Sequence, residues 1–362
     1  MPPDFDVADS RKKVSSYFAK YGFRVSMMYP SYFARINGVE SERYFSPEVY
    51  FSYVVPALNC MQMRPVYTDK NFYSNLFYDV SQPHALIKKM GRWYYDENGK
   101  LISEEDAKQI VLSCADRLIV KPTIESCEGH GVILLQSPTR DCVDKVFLEY
   151  KEMGSFAIQR FVKQHPQIAA INPTSLNTMR LFTYRDVDGV VHCLTKQNFI
   201  RIGGKGSCKD NVSAGGGFAP LSADGMISER MYVGRTLQAK DIEGIYGVKP
   251  FRVPAYAAAL DFARSLHERL PYFDSIGWDV AIGEDAKPIF IEFNPDANLR
   301  AAQIVGGPMF GEFQDEVMER SRYVQKSLSL CMTYEFQNGY KKSKSMGGLV
   351  SKVLTGLVKH LP

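Results

Sequence analysis

The segment GWDVAIGEDAKPIFIEFNPDAN, residues 277–298, constrains the fold most, because its apolar and polar residues alternate like those of two strands joined by a turn. Two short apolar runs flank a polar turn, which predicts a β-hairpin. Alternation puts Glu292 and Asn294 on one face and Phe293 on the other. Pairing across the turn brings Asp279 beside Glu292. These oxygen-bearing side chains suit a hard cation such as Mg²⁺, and the pattern also fits an exposed hairpin whose polar residues face water.

The composition is that of an ordinary globular protein. A length of 362 residues allows two or three domains or subdomains, and the apolar share of 45% and charged share of 23% are close to average. No run approaches the roughly 18 apolar residues of a membrane span. The net charge of +4 is too small to indicate nucleic acid as a partner.

The N-terminal segment and the cysteines indicate the compartment. The segment MPPDFDVADSRKK lacks the apolar stretch of a secretory signal, so we expect a cytoplasmic protein. The seven cysteines are scattered and never have CxxC spacing, which argues against a zinc site and a disulfide framework. There is no GxSxG, HExxH or kinase HRD and DFG set, so hydrolase, zincin and protein-kinase functions have no support.

Local patterns divide the chain into regions. Residues 1–66 are mainly helical, with Ser46 as an N-cap before a proline. Residues 67–330 form the main region, in which Lys70 begins a further predicted helix. Short apolar strands and helices follow it, up to the hairpin at residues 277–298.

The run IVKPTIESCEGHG places Lys121 at the end of an apolar strand, before a loop of small and polar residues. Its ammonium group can contact phosphate, while backbone N–H groups around Gly129 and Gly131 close over the anion. No GKS or GKT follows the glycines, so this is not a P-loop. A strand-ending lysine beside an ordinary hairpin loop explains the run equally.

Two further stretches carry chemistry. The strand end from Gln159 to Val162 offers free backbone groups that suit a flat purine edge, although a core strand has the same pattern. Arg180 and Arg201 lie on adjacent predicted strands and suit an anionic oxygen, or a salt bridge on a solvated sheet face. The glycine-rich loop 203–217 can move over a substrate, or is a flexible loop without function.

Taken in order, these pieces resemble the ATP-grasp superfamily. D-alanyl-D-alanine ligases share the TDK-like lysine at 68–70, the strand-borne VKP and the final D…ExN, and peptide-type glutamate ligases share an arginine like Arg180. The combination QHP, SLNTMR, RIG, DN and GGG is most similar to the sugar-transfer-associated ATP-grasp proteins. The resemblance covers about residues 60–325. It implies an α+β ATP-grasp fold, in which two α/β subdomains, one a lid at about 115–162, clasp ATP behind a helical N-terminal region.

The resemblance also implies a site for ATP and Mg²⁺. Lys70 and Lys121 would contact the α- and β-phosphates, and Gln164 or His165 would reach the ribose. The implied cofactor-binding residues are Lys70, Lys121, Ser126, Gly129, His130, Gly131, Gln159, Arg160, Phe161, Val162, Gln164, His165, Asn211 and Ile291. The implied Mg²⁺ ligands are Asp279, Glu292 and Asn294, and the implied catalytic residues are Arg180, Arg201 and Lys121.

One departure from the family pattern concerns residue 277. D-alanyl-D-alanine ligases carry an arginine two residues before the metal-binding aspartate, whereas this chain has Gly277. Arg180 or Arg201 must therefore supply that positive charge.

The implied reaction is ligation. Such enzymes phosphorylate a carboxylate to an acyl phosphate, which an amine or hydroxyl then attacks, and this chemistry needs positioning and charge neutralisation more than a nucleophilic side chain. The implied partners are small molecules, a carboxylate donor with an amino acid, sugar or nucleotide-sugar acceptor, in polysaccharide or cell-surface glycan biosynthesis. Two alternatives stay open: a kinase that phosphorylates a hydroxyl, and a nucleotide-binding scaffold without turnover.

The C-terminal residues 340–362 predict a basic amphipathic helix. Its apolar residues fall on one helical stripe, with lysines beside and before it. Such a helix can lie on the anionic inner surface of a membrane, which would make the protein peripheral there. Docking of the helix on its own core or on a second subunit explains the pattern equally.

Overall fold

The computed structural model describes residues 7–124, 131–206, 215–234 and 237–331. Three predicted features lie outside the described residues: the loop with Ser126, Gly129 and His130, the segment with Asn211, and the C-terminal helix at 340–362. In the part that is described, no helix is both long and apolar enough to span a membrane.

The N-terminal region is helical, as its sequence predicts. Its elements are α1 (Val7–Lys20), α2 (Met28–Asn37), α3 (Pro47–Val49), a π-helical turn (Tyr50–Val54), α4 (Val55–Leu58), a 3₁₀ turn (Met61–Met63) and α5 (Arg64–Thr68). Ser46 caps α3, because its hydroxyl accepts a hydrogen bond from the Val49 N–H. The helix predicted to begin at Lys70 is wrong: Lys70 lies in a turn, and the next helix is only α6 (Tyr73–Leu76).

A six-stranded antiparallel sheet follows. Its elements are β1 (Ala85–Met90), β2 (Trp93–Asp96), β3 (Leu101–Ile102), α7 (Glu104–Ser113), β4 (Leu118–Pro122), β5 (Ile133–Leu135), α8 (Arg140–Met153) and β6 (Phe156–Arg160). The strand order is β3-β2-β1-β6-β4-β5. The helices cover one face, where Leu118, Val120 and Ile158 are buried in the core. Residues of odd number on β4, including Lys121, therefore face the other side.

The second sheet carries the predicted hairpin. Its region comprises α9 (Pro166–Ala169), β7 (Met179–Arg185), β8 (Val191–Cys193), a 3₁₀ turn (Thr195–Gln197), β9 (Phe199–Ile202), β10 (Gly217–Pro220), β11 (Arg230–Val233), β12 (Gln238–Asp241), α10 (Ile242–Tyr246), α11 (Tyr256–Glu268), β13 (Ser275–Ile282), β14 (Pro288–Asn294), α12 (Leu299–Gly306), a 3₁₀ turn (Gly311–Phe313) and α13 (Gln314–Cys331). The strand order is β12-β11-β10-β9-β7-β13-β14, with β8 paired to β7. All these pairings are antiparallel. The combination of helices and antiparallel sheets confirms the α+β class.

Different elements cover the two faces of the second sheet. The core with α11 contains Trp278 and Phe293, from the strands of the hairpin. The opposite face packs Phe182 and Tyr184 of β7 into one core with the N-terminal helices, α12 and α13. The N-terminal helices thus share their core with the second sheet. They cover only part of this face, and the uncovered part carries polar side chains of the central strands.

Asn59 joins the N-terminal region to the hairpin. Its side chain is buried, and its amide group donates to the carbonyl oxygen of Ser275, at 2.9 Å, and to that of Pro295. Its amide oxygen accepts from the backbone N–H groups of Asp274, at 2.9 Å, and Ser275, at 3.0 Å. One side chain therefore satisfies four backbone groups at the start of β13 and the end of β14.

We expect Asn59→Ala to destabilise the protein by about 2–4 kcal/mol, because it leaves several buried backbone groups without partners. Thermal unfolding followed by circular dichroism checks this through a lower Tm. The control is Asn75→Ala, at an exposed position, which should change stability by less than about 0.5 kcal/mol. Equal effects of the two substitutions would contradict the role of Asn59.

Candidate active site

The β13–β14 hairpin places three oxygen-bearing side chains on one face of the sheet. Asp279 pairs with Glu292, and Gly277 pairs with Asn294. Trp278 lies on the buried core face, as the predicted alternation requires. Asp279, Glu292 and Asn294 are therefore brought together on the opposite face, as the sequence predicts.

A β-bulge at Ile291 adjusts the register of β14. Asp279 pairs with Glu292 while the next residue, Val280, pairs with Phe290, so Ile291 has no partner across the hairpin. Phe290 and Phe293 both enter the core although three positions separate them, which strict alternation does not allow. The bulge lets the strand fill the core at both positions and still present Glu292 to the other face.

Two arginines from neighbouring strands hold Asp279. Arg180 on β7 donates from Nε to Oδ1 at 2.5 Å and from Nη2 to Oδ2 at 3.0 Å, and Arg201 on β9 donates from Nη1 to Oδ2 at 2.9 Å. Asp279 is 2% exposed. Burial raises the pKa of Asp279, and the two guanidinium groups oppose this effect. The contacts place both predicted arginines at the carboxylate that the sequence predicts as a metal ligand.

Glu292 forms an ion pair with Lys70. The Nζ of Lys70 lies 3.0 Å from Oε2 of Glu292. Burial raises the pKa of Glu292, but the ammonium of Lys70, with Arg201 nearby, outweighs burial and holds the pKa well below its usual range. Glu292 is therefore a carboxylate at neutral pH.

The turn that carries Lys70 is fixed to the first sheet. Lys70 donates its backbone N–H to the Thr123 carbonyl oxygen at 3.2 Å. The side-chain amide of Asn71 donates to Thr123 Oγ1 at 3.0 Å and to the Lys89 carbonyl oxygen at 3.1 Å. Asn71 and Thr123 position the turn that carries Lys70, and the sequence analysis did not identify them. The Asp69 side chain accepts from the Asn71 N–H at 3.0 Å, a local turn that the Asp-Lys-Asn sequence could have indicated.

Lys121 is a cation without an anionic partner in the described ranges. It lies at the end of β4, and none of the hydrogen bonds or ion pairs of residues 7–124, 131–206, 215–234 and 237–331 involves its side chain. Burial and the neighbouring Lys70 lower the pKa of Lys121 to about 8, and Glu292 opposes them. The ammonium group of Lys121 is therefore placed to form an ion pair with a bound anion.

In the strand end from Gln159 to Val162, the side chains of Gln159 and Arg160 lie on opposite faces of the sheet. Gln159 pairs with Ile119, so it lies on the same face as Lys121. Arg160 pairs with Leu118 instead, and its side chain forms an ion pair with Asp116 at 2.6 Å on the other face. The side chain of Arg160 is therefore not placed beside Lys121, and its assignment to the nucleotide, which rests on the backbone of the strand end, stays a prediction.

Phe161 and Val162 follow the end of the strand. The backbone N–H of Phe161 donates to the Arg117 carbonyl oxygen at 2.9 Å, and the guanidinium group of Arg117 lies 4.0 Å from the centre of the Phe161 ring. Val162 is half-buried. Gly131, also assigned to the nucleotide, accepts a hydrogen bond from Tyr150 at its carbonyl oxygen.

The side chain of Gln164 is engaged in contacts within the protein, and the assignment of Gln164 or His165 to the ribose stays a prediction. Its side chain is buried and donates to the Ser175 carbonyl oxygen at 2.7 Å. Its amide oxygen accepts from the Asn177 N–H at 3.1 Å. His165 donates its backbone N–H to the Ile282 carbonyl oxygen at 2.8 Å and caps α9 through Nδ1, which accepts from Gln167. These contacts hold the connection between the two sheets and leave Gln164 no polar atom for a ligand.

Gly277 explains the departure from the ligase pattern. A Cβ atom at this position would lie 2.6 Å from Cβ of Ala297 and 3.3 Å from Cδ of Arg180. The stem of Arg180 therefore fills the space that a side chain at 277 would need. The positive charge comes from β7 because β13 has no room for it.

The residues present fit a divalent cation with oxygen ligands. Among the described residues, no group of three or more His, Cys, Asp and Glu side chains could hold a metal ion. The oxygen donors predicted from the sequence are the carboxylates of Asp279 and Glu292 and the side-chain amide oxygen of Asn294, which lie on one face of the hairpin. The side-chain N–H group of Asn294 is buried and has no hydrogen-bond partner in the described chain. This N–H group is a hydrogen-bond donor, so it suits an oxygen atom of a ligand, whereas a cation would be bound through the amide oxygen of Asn294.

A protein-family model matches most of the chain. The family model described as "Sugar-transfer associated ATP-grasp" matches residues 54–316. None of the curated proteins matches the sequence.

Similar solved structures include a D-alanine–D-alanine ligase from Bacillus anthracis, with 12% identity, 74% of this chain and 72% of that chain covered, and a TM-score of 0.41. The D-cycloserine synthetase DcsG has 16% identity, 73% of each chain covered, and a TM-score of 0.41. A biotin carboxylase from Campylobacter jejuni has 10% identity and a TM-score of 0.42, with 74% of this chain but only 48% of that chain covered.

We expect Gly277→Ala to destabilise the protein by about 1–3 kcal/mol, because the new methyl group collides with Ala297 and presses on Arg180. Adding Ala297→Gly to this variant should recover part of the lost stability, since it removes the closest colliding atom. Thermal unfolding of the single and double variants measures both effects. Ala258→Ser, which adds one heavy atom at an exposed position of α11, is the control and should change stability by less than about 0.5 kcal/mol. A single variant as stable as the parent would contradict the close packing around Gly277.

Proposed function

The chain belongs to the sugar-transfer-associated ATP-grasp family, and on that premise we propose that it is an ATP- and Mg²⁺-dependent ligase. It activates a carboxylate as an acyl phosphate for attack by an amine or hydroxyl. The observation that carries the proposal is the row of charges across the second sheet and its contact with the first. Arg201, Asp279 and Arg180 are linked in this row, and Lys70 joins Glu292 to it from the other sheet.

The charges of the site favour a polyphosphate. Four cationic side chains, Lys70, Lys121, Arg180 and Arg201, stand against the two carboxylates of Asp279 and Glu292. The excess of positive charge suits the phosphates of ATP, and a partly buried site strengthens each interaction. Lys121 lies on the first sheet and Lys70 lies in a turn that is hydrogen-bonded to it, so the nucleotide would bind between the two sheets.

Asp279, Glu292 and Asn294 would hold Mg²⁺, which when bound neutralises charge on the phosphate oxygens. Arg180 and Arg201 fix the carboxylate of Asp279 and hold positive charge where the phosphoryl group is transferred. Lys121 would bind a phosphate oxygen and orient it. Gln159 would line the nucleotide on the face of Lys121, and Ile291 would pack near Glu292 from its bulge.

The substrates follow from the family's association with sugar transfer. A carboxylate donor and an amine or hydroxyl acceptor on an amino acid, sugar or nucleotide-sugar suit a cytoplasmic step of polysaccharide or cell-surface glycan biosynthesis. Product analysis separates ligation from phosphorylation of a hydroxyl. A ligase releases ADP, free phosphate and a conjugate, whereas a kinase releases ADP and a stable phosphoester.

We expect Glu292→Gln to lower Mg²⁺-dependent ATP turnover by more than about 100-fold, because it keeps the shape of the side chain and removes its charge. ADP release in the presence of a panel of acids, amino acids and nucleotide sugars measures the rate. Glu284→Gln, in the exposed turn of the same hairpin, is the matched control and should leave turnover unchanged. The assignment fails if Glu292→Gln folds normally and turns over ATP at the parental rate.

We expect nucleotide binding to take up protons near pH 8. The pKa of Lys121 is about 8 in the free protein, and a bound phosphate raises it. At pH 8 binding of Mg-ADP should therefore take up roughly half a proton, and affinity should fall as the pH rises above the pKa. Isothermal titration calorimetry in two buffers of different ionisation enthalpy measures the uptake.

Lys121→Arg is the control for this pH dependence. Arginine keeps the positive charge and does not titrate near pH 8, so its variant should bind without proton uptake. Equal proton uptake by the parent and the variant would show that another group titrates and would contradict the role of Lys121.

A further inference from the structure

A second pair of opposite charges lies beside the candidate active site. Nε of Arg64 lies 3.3 Å from Oδ2 of Asp296, and the two side chains are 27% and 32% exposed. Arg64 begins α5, and Asp296 follows the end of β14 by two residues. Both side chains are therefore accessible to a small molecule in solution.

The pair is aligned with the metal and phosphate residues. The turn after α5 brings Lys70 to Glu292 at 3.0 Å, while the start of α5 brings Arg64 to Asp296. Residues 64–70 thus run alongside residues 292–296 in the opposite direction. Four residues of chain span at most about 14 Å, so Asp296 lies within that distance of Glu292, with Asn294 between them.

Neither member of the pair is locked in place by hydrogen bonds. Nε of Arg64 is buried and, in spite of its distance to Asp296, makes no hydrogen bond in the described chain. The carboxylate of Asp296 likewise accepts none from the residues that the structure describes. A partly exposed ion pair of this kind contributes little to stability. The exposed parts of the two side chains are available to a ligand, although Nε of Arg64 itself is buried.

Tyr50 connects this pair to the arginine of the site. It is 2% exposed and lies in the π-helical turn, in which the Val55 N–H bonds to its carbonyl oxygen. Burial raises the pKa of Tyr50, the charge of Asp296 adds to this effect, and the charge of Arg180 opposes it. The hydroxyl therefore lies within electrostatic range of both Asp296 and Arg180.

We infer that Arg64 and Asp296 bind the acceptor of the ligation, and that the acceptor is an α-amino acid. Arg64 binds the carboxylate of the amino acid, and Asp296 binds its ammonium group. This inference rests on the proposed ligase function and names the acceptor class of that site.

The charge pattern selects this class of ligand. A guanidinium group recognises a carboxylate through two parallel hydrogen bonds, and a carboxylate is the natural partner of an ammonium group. A zwitterion satisfies both members of the pair at once, in exchange for their contact with each other. A neutral sugar hydroxyl offers no charge to either of them. If either Arg64 or Asp296 loses its charge, one charged group of the bound amino acid has no ionic partner.

Binding to the full-length protein, with Mg²⁺ and a non-hydrolysable ATP analogue present, tests the inference. The probes are the twenty standard α-amino acids, one at a time, followed through saturation-transfer NMR and calorimetry. For each amino acid that binds, the N-acetyl derivative, which lacks the ammonium, and the decarboxylated amine are the comparison probes. We expect at least one amino acid to bind and both of its derivatives to bind at least about 10-fold more weakly.

Substitutions assign that binding to the pair. Arg64→Gln and Asp296→Asn should each lower the affinity for the amino acid by at least about 10-fold. The conservative Arg64→Lys should retain part of that affinity. The matched control is the exposed Arg269–Asp79 pair, at 2.6 Å, whose variants Arg269→Gln and Asp79→Asn should not affect binding. Titration with the ATP analogue in each variant shows that the protein is folded.

The outcomes separate this inference from the proposed function. No binding of the ATP analogue by the parent protein would overturn the ligase proposal itself. Nucleotide binding without binding of any amino acid would overturn the acceptor assignment alone. Amino-acid binding that survives unchanged in both Arg64→Gln and Asp296→Asn would also overturn it.

Discussion

The structure depends on one buried carboxylate, Asp279, and on the two arginines that neutralise it. A buried charge is costly unless its partners are close and well oriented, and removing one partner of such a group leaves an uncompensated charge. Arg180 and Arg201 reach Asp279 from β7 and β9, so the order of the central strands is a requirement of this contact. The same contact places positive charge beside Glu292, where phosphate chemistry would need it.

The two sheets meet through lysines. Lys70 is held by its backbone to Thr123 at the end of β4, and its ammonium group reaches Glu292 on β14. Lys121 lies on β4 itself. Its pKa is lowered because burial and the nearby charge of Lys70 disfavour a second cation at this position. The N-terminal helices share a core with the second sheet, and α5 and the turn after it lie beside the end of the hairpin, where Arg64 contacts Asp296 and Lys70 contacts Glu292.

The family pattern and the packing together explain where positive charge is located. The resemblance places an arginine at position 277 in related ligases, and this chain has glycine there. The glycine is a packing requirement, since Arg180 crosses the position from the neighbouring strand and Ala297 closes the space. In this chain, arginines of the neighbouring strands β7 and β9 hold positive charge beside Asp279.

The sequence by itself determined the local elements: the hairpin, the capped helix at Ser46, and the face of β14 that carries Glu292 and Asn294. These features depend on neighbouring residues, so periodicity and turn chemistry are sufficient to predict them. Tertiary structure alone decided the bulge at Ile291, the side on which Arg160 lies, and the contact of Lys70 with Glu292. Each of these follows from packing and pairing between residues far apart in the chain, for which a single sequence carries no local signal.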